Sequence, residues 1–173
     1  TAKTLKYHVC DEFVRFYFLF IDPHLKRIRQ NEKGFILNDL TCSNWDSFLG
    51  LTFERFCHKN IKPVLVKLNI QNTYENHGVY WHRPSKRLGP GVQIDLVIET
   101  ADKTTYLAEC RWTADPVGYG ILKELDEKLA LYPNPKKHKL RKLLISASGV
   151  TAHIQDHPEI DVITLGDFFK EQV

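Results

Sequence analysis

The most constraining feature of this 173-residue sequence is a pair of apolar segments joined by a short polar turn. The first segment, residues 92–99, has the sequence VQIDLVIE, and the second, residues 105–112, has the sequence TYLAECRW. Both are rich in β-branched and aromatic residues, and the TADKT between them contains turn formers, which is the pattern of a β-hairpin. We therefore expect a sheet built around this hairpin.

Charged residues lie at matching positions on the two predicted strands. Side chains alternate between the faces of a strand, so Glu109 and Arg111 share one face. A three-residue turn would pair Thr100 with Thr104 and, in the same register, would set Asp95 directly opposite Glu109. The hairpin is therefore predicted to hold two carboxylates side by side.

Two neighbouring carboxylates repel each other, which raises the pKa of one of them unless a cation lies between them. A divalent metal ion is one solution, because carboxylate oxygens suit Mg²⁺ or Mn²⁺, hard ions that often meet phosphate substrates. The alternative is a surface salt bridge in which Arg111 neutralises Asp95 and Glu109. The pattern of residues leaves both interpretations open.

The rest of the chain predicts helices and further strands around the hairpin. Helical spacing of apolar residues and short apolar runs distinguish the two kinds of element. In chain order they are a helix at 45–61, a further turn opened by Pro63 over 63–69, a strand at 79–83, the hairpin, a helix at 118–131, a strand at 143–148, a helix or loop, a strand at 161–165 and a short helix at 167–171. This order predicts an α/β fold with a mixed central sheet flanked by helices.

The N-terminal part differs from the rest in character. Residues 11–21, DEFVRFYFLFI, predict a helix that is apolar on nearly every side and stops soon after at Pro23. It is either a core helix or an interface for an upstream domain or a second copy. Residues 24–44 have the composition of a linker or short helices, so we expect a helical segment over 1–42 and the main domain over 43–173.

Composition restricts the class of protein without naming its function. The net charge of +3 permits binding to nucleic acid without requiring it. The four cysteines form no Cys-x-x-Cys pair, which favours free thiols in the cytoplasm, and no apolar run reaches the roughly 18 residues of a membrane span. The chain begins at Thr1 and contains no methionine, so we expect a fragment of a larger protein.

The segments VQIDLVI and YLAECRW resemble the metal-binding core of the PD-(D/E)XK, or restriction-endonuclease-like, nuclease superfamily. In that comparison Asp95 matches the first acid of the family hairpin, Glu109 matches the second, and Arg111 occupies the place of the family lysine. Glu54 matches the upstream helix glutamate of many members. The resemblance implies an αβββαβ core and a Mg²⁺ or Mn²⁺ ion held by Asp95 and Glu109.

A wider resemblance extends over nearly the whole chain. The segments YHVCDEFVRFYFLFI, WDSFLGLTFERF, GVYWHR and AECRW, in that order, resemble the C-terminal region of prokaryotic DEXX-box ATPases. The resemblance implies that an ATPase and a winged-helix segment precede this fragment, with residues 1–42 as the tail of the winged helix. No GxxxxGK[ST] motif occurs in the sequence, so no nucleotide site is expected in it.

Arginine in place of lysine bears on activity. Arg111 keeps its proton far above neutral pH and cannot act as a base, but it can hold a phosphate and stabilise developing charge. Lys123 on the following helix is a candidate substitute for the family lysine. Whether the domain is an enzyme therefore stays open at this point.

Three functions are consistent with the sequence. The first is a Mg²⁺-dependent DNA nuclease in which Asp95 and Glu109 bind metal, Glu54 assists and Arg111 positions phosphate. The second is a catalytically inactive module for binding DNA or protein, and the third is oligomerisation of the parent ATPase through residues 11–21. Basic side chains predicted to contact DNA are Arg83, Lys86, Arg87, Lys123, Lys137 and Lys139.

Overall fold

A computed structural model describes residues 9–30, 44–86 and 89–170. The chain forms two compact units, Thr1–Thr52 and Phe53–Val173. The boundary expected near residue 42 falls outside the described residues. Within the described ranges, every helix is too short or too polar to cross a bilayer.

The first unit is helical from residue 12 to residue 29. Helix α1 (Glu12–Phe16) is capped by Asp11, whose Oδ1 accepts a hydrogen bond of 2.9 Å from the backbone N–H of Val14. The chain continues through a π-helical turn (Tyr17–Ile21), a 3₁₀ turn (Asp22–His24) and α2 (Leu25–Arg29). The first helical stretch ends at Ile21, as predicted, and Pro23 lies at the start of the 3₁₀ turn, where its missing N–H has no helical partner.

Aromatic residues of the segment 11–21 differ in burial, which bears on whether this segment is a core helix or an interface. Phe20 is buried, with its ring centroid 5.6 Å from that of Trp45 and 5.3 Å from that of Phe48. Phe13 and Phe18, by contrast, are 70% and 60% exposed. One side of the helix is thus core, and the other presents apolar rings to solvent.

The predicted order of elements in the second unit is confirmed. Helix α3 begins in the first unit and ends in the second. The elements are α3 (Trp45–Lys59), α4 (Ile61–Lys67), β1 (Tyr74–His82), β2 (Val92–Thr100), β3 (Thr104–Arg111), α5 (Gly120–Leu131), β4 (Lys139–Ser146), α6 (Ala152–Gln155), β5 (Ile160–Thr164) and a 3₁₀ helix (Leu165–Phe169).

The five strands form one mixed sheet whose spatial order, β1-β2-β3-β4-β5, is the order of the chain. The first three strands are antiparallel, and β3, β4 and β5 are parallel, with α5 and α6 as the connections. One face packs under α3 and α4 around Val64 and Leu143. The other packs under α5 around Leu125 and Leu144. The predicted α/β fold with a mixed central sheet flanked by helices is confirmed.

The hairpin between β2 and β3 has the predicted register. Its pairs include Leu96 with Ala108 and Glu99 with Thr105. The turn is three residues long, and its last residue, Lys103, has a left-handed φ of 62°. The recorded pairs end at Leu96 and Ala108, and Asp95 and Glu109 are the next residues along the two strands.

A β-bulge lies at Asp95, and the sequence pattern does not reveal it. Gly78 of β1 pairs with Val97, but Tyr80 pairs with Ile94, so the two intervening residues of β2 face a single residue of β1. Ile94 and Val97 consequently pack into the same apolar cluster although they are three residues apart. Bulges are common beside functional sites because they redirect a side chain. Here the residue whose side chain the bulge redirects is Asp95.

Candidate active site

The two acids of the hairpin form the floor of the candidate site. Asp95 and Glu109 are both buried, with 5% and 4% of their surface exposed. Oδ2 of Asp95 accepts a hydrogen bond of 3.1 Å from the backbone N–H of Cys110, the residue after Glu109. The bulge and the hairpin register thus hold the two carboxyl groups next to each other in the protein interior.

Two cations from different elements contact Glu109. Lys128 of α5 contacts its Oε2 through Nζ, and Nη2 of Arg111 lies 3.2 Å from its Oε1. Glu124, one turn before Lys128 on α5, contacts the same Arg111 nitrogen, and its Oε1 lies 3.3 Å from Nζ of Lys128. These four side chains form one continuous ionic network.

Burial shifts the pKa values of the ionisable side chains in this network. Burial raises the pKa of Glu109 to about 8; the charge of Asp95 adds to the increase, and Lys128 and Arg111 oppose it. Burial alone would lower the pKa of Lys128, but Glu109 and the nearby acids outweigh it and raise that pKa above its ordinary value. Lys128 therefore stays charged at neutral pH, and the raised pKa of Glu109 favours the protonated form of that side chain.

A third acid belongs to the same electrostatic environment. Glu54 is half-buried on α3, and burial raises its pKa to about 7, with Asp95 as the next cause. Lys128 and Arg111 oppose this shift as well. The structure therefore places Glu54 within electrostatic reach of Asp95, Lys128 and Arg111.

A histidine that sequence reasoning missed supports the bulge. His58 lies one turn after Glu54, and its Nε2 is 2.7 Å from the backbone oxygen of Asp95. A carbonyl oxygen only accepts, so Nε2 is the donor. The ring of His58 stacks at 5.6 Å on that of His77, whose Nδ1 lies 2.7 Å from the hydroxyl of Tyr74. The i, i+4 spacing from Glu54 is the signal in the sequence that could have found His58.

The lysine that reaches Glu109 is Lys128 and not Lys123. Lys123 has 85% of its side chain exposed, and its Nζ lies 3.9 Å from Glu127. Lys128 instead continues the buried stripe of α5 at the i+7 position from Ile121, with Leu125 between them. A lysine on the apolar stripe of a helix is the signal that the sequence offered.

The predicted DNA-contacting residues fall at opposite ends of the sheet. Arg83 and Lys86 are exposed just after β1, whose last residue pairs with the start of β2, on the Asp95 side. Lys137 and Lys139 are exposed at the start of β4, which pairs with the start of β3, far from Arg111. Arg87 lies outside the described residues. The fold does not bring the two basic groups together.

Several other cations of the basic loop and β4 are already paired with acids. The pairs are Lys136 with Glu99, Arg141 with Asp161, and Lys142 with both Asp126 and Glu159. Paired cations attract a phosphate backbone less strongly than free ones. The basic run of the sequence therefore largely neutralises the protein's own carboxylates.

The donor chemistry of Asp95 and Glu109 suits a hard divalent ion. Within the described part of the chain, no three side chains of His, Cys, Asp or Glu converge closely enough to hold a metal ion. Mg²⁺, however, is commonly held by one or two carboxylates and keeps several waters. A divalent cation would also favour the charged forms of Glu54 and Glu109, whose pKa values burial raises. The acidic pair therefore fits such an ion.

Comparison with known proteins identifies the family. Over 116 residues the chain is 29% identical to Uncharacterized protein MJECL04 of Methanocaldococcus jannaschii. The aligned region covers 64% of this chain and 23% of that protein. The chain thus spans less than a quarter of that relative's length. The model of the family DUF234 matches residues 17–128, from the π-helical turn to Lys128. This family is described as archaeal and bacterial proteins of unknown function. The chain belongs to this family.

Proposed function

We propose that the second unit is a metal-dependent, nuclease-like domain that acts on phosphodiester bonds of DNA. The observation that supports this function best is the crowding of Asp95, Glu109 and Glu54. Burial and the charge of Asp95 raise the pKa of Glu109 to about 8 and that of Glu54 to about 7. Two acids with such shifts, Glu54 on α3 and Glu109 on β3, beside a third acid are typical of catalytic sites.

In this proposal Asp95 and Glu109 hold Mg²⁺ or Mn²⁺, and Glu54 assists. The ion would supply an activated water and neutralise charge on the phosphate. Arg111 binds a phosphate oxygen through its planar fork and stays charged throughout.

In this proposal Lys128 takes the role of the strand lysine of the PD-(D/E)XK superfamily, whose place Arg111 occupies here. Its amine is half-buried against Glu109, and its charge faces the same side of the hairpin as Arg111. An ammonium held in a partly dry site stabilises developing negative charge more than one in open solvent. The departure at Arg111 therefore does not remove the lysine function from the domain.

A second candidate is a non-catalytic module that keeps the nuclease fold for binding DNA or protein. The specific observation in its favour is that both oxygens of Glu109 are engaged, one by Lys128 and the other by Arg111. In this alternative the two side-chain cations replace a metal ion permanently. The two candidates differ in whether a divalent ion displaces Lys128.

The wider protein is also a matter of proposal. The resemblance to DEXX-box ATPases favours an upstream ATPase and winged-helix segment in the same chain, and a cytoplasmic location. The exposed rings of Phe13 and Phe18 favour a contact with another domain or a second copy. Light scattering that gives a strict monomer at high concentration would count against self-association of this fragment.

The test of the proposed function is cleavage of plasmid and of single-stranded DNA with Mg²⁺, with Mn²⁺ and with EDTA. The parent protein should cut only with metal, and Asp95→Asn, Glu109→Gln and Lys128→Met should each lower the rate about 100-fold or more. Lys123→Met, which removes an exposed lysine of the same helix that does not reach Glu109, is the matched control and should lower the rate no more than loss of one surface DNA contact does.

The variant Arg111→Lys separates the two candidates further. If the parent is inert and Arg111→Lys cuts, the domain is a silenced nuclease. If both are inert with either metal while the parent binds DNA, the nuclease proposal is wrong and the binding module is supported.

A further inference from the structure

The loop between β3 and α5 lines an open surface cavity of about 530 Å³ next to the candidate site. Two of its lining residues, Arg111 and Glu124, are members of the ionic network around Glu109. The cavity therefore opens directly onto the place where the scissile phosphate is proposed to lie. Its volume is within the range of small-molecule sites and accommodates one nucleoside.

Hydrogen bonds to the segment after β4 hold this loop in place. The backbone N–H of Val117 donates to the oxygen of Gly149 at 3.0 Å, and Thr151 N–H donates to the oxygen of Val117 at 3.0 Å. The hydroxyl of Ser148 donates to the backbone oxygen of Asp115 at 2.8 Å. The cavity is thus pre-formed, and a ligand does not have to order its walls.

The walls combine apolar groups with one exposed aromatic ring. Apolar lining residues include Ala114, Pro116 and Ile121. Tyr119 is 67% exposed at the start of α5, and the ring of His157 meets it edge-on at 6.3 Å. An aromatic ring held in this way offers a flat face on which a base can stack.

We propose that this cavity receives one unpaired nucleoside next to the phosphate bound by Arg111, with its base stacked on Tyr119. The inference deepens the proposed function, on which it rests, by naming the substrate class: single-stranded or locally unpaired nucleic acid. A base within a duplex has both faces covered by its neighbours and must leave the stack to enter such a site.

The charges of the cavity agree with this class. Among its lining residues, all within the described part of the chain, Arg111 is the one cation, and Asp115 and Glu124 are the two acids. A surface that follows the phosphates of a duplex needs a row of cations. Arg111, which is paired with Glu124, cannot follow a duplex backbone alone, and the apolar walls instead fit a neutral base beside one phosphate.

The first experiment measures binding without cleavage. The unmodified protein, in EDTA, is titrated into a short single strand that carries 2-aminopurine and into the matching duplex. Quenching of 2-aminopurine and at least tenfold tighter binding of the single strand are expected. Equal affinity for the two DNAs, or no quenching with the single strand, overturns the inference.

Variants then assign the effect to the cavity. Tyr119→Ala should weaken single-strand binding by about fivefold or more, because a base stacked on an aromatic ring is lost. Tyr119→Phe keeps the ring and should bind like the parent. Phe169→Ala removes another exposed ring, 74% exposed and outside the cavity lining, and should also bind like the parent. Parent-like binding by Tyr119→Ala overturns the inference.

The outcomes separate this inference from the proposed function. Tyr119-dependent binding by a protein that cuts no DNA supports the cavity and removes the nuclease. Metal-dependent cutting that is as fast on duplex as on single strands, and equally fast in Tyr119→Ala, supports the nuclease and removes the cavity.

Discussion

Lys128 on helix α5 contacts Glu109 on strand β3 across 19 residues of chain. Both side chains are largely buried, with 18% and 5% of their surface exposed. The contact ties the helix to the acidic hairpin and supplies a positive charge where Asp95 and Glu109 crowd together. Breaking a buried pair by removing one partner leaves the other charge uncompensated, which is the costly case.

Replacing this lysine should destabilise the fold in a pH-dependent way. We expect Lys128→Met to lose about 2 kcal/mol of unfolding free energy at pH 9, where Glu109 is ionised, and less at pH 5, where it is protonated. Urea denaturation at the two pH values measures the difference. Lys123→Met should change stability little at either pH, and an equal loss at both pH values in Lys128→Met would contradict the prediction.

Glu54 should make stability fall as pH rises in EDTA. Its folded pKa of about 7 exceeds the ordinary value of 4.5, so the folded state keeps a proton that the unfolded state has released. The stability it contributes is complete below pH 4.5 and is lost as pH rises through 7. Because solvent screens this half-buried group, Glu54→Gln should gain only about 1 kcal/mol over the parent at pH 8 and nothing at pH 4. Thermal melts across this range should show the two curves diverging; parallel curves would count against the prediction.

Binding of Mn²⁺ should tighten with pH. Glu109, with a pKa of about 8, and Glu54, with a pKa of about 7, must lose protons before their oxygens bind a cation strongly. We expect affinity to rise about tenfold between pH 6 and pH 7 from the titration of Glu109 alone, and more if Glu54 also binds the ion. Calorimetry with Asp95→Asn as the control checks this. A pH-independent affinity would favour the alternative in which Lys128 and Arg111 replace the metal.

The bulge at Asp95 should depend on His58. Its Nε2 donates to the Asp95 oxygen at 2.7 Å, and loss of one such hydrogen bond costs about 1 kcal/mol. His58→Phe keeps a ring but removes the donor, so it should lose this stability and weaken Mn²⁺ binding. His58→Gln keeps an N–H donor and should lose less. Equal metal affinity in the parent and in His58→Phe would show that His58 does not position Asp95.

The hairpin and the sheet could be predicted because their signals are local. The three-residue turn sets the register that brings Asp95 opposite Glu109, and strand alternation places Arg111 beside Glu109. The order of helices and strands follows from the spacing of apolar residues within each element. Each of these features is determined by residues close together in the sequence.

The features that could not be predicted depend on pairing over long distances. The bulge at Asp95 arises from its alignment with β1, which no local pattern specifies. Lys128 reaches Glu109 only because α5 packs on that face of the sheet; its place on the apolar stripe is visible in the sequence, but its partner is not. The separation of Arg83 from Lys137 likewise follows from the parallel pairing of β3 with β4.

The strand order β1-β2-β3-β4-β5 also bears on how the protein is made. During synthesis the N-terminal part emerges first, so the hairpin with Asp95 and Glu109 is available before the residues of α5 leave the ribosome. Each new strand finds its partner already present at the growing edge, but the parallel pairs of β3 with β4 and of β4 with β5 form only after their connecting helices. Until α5 docks, Glu109 lacks its contact with Lys128. That docking is the step in which the nascent site receives the charge of Lys128.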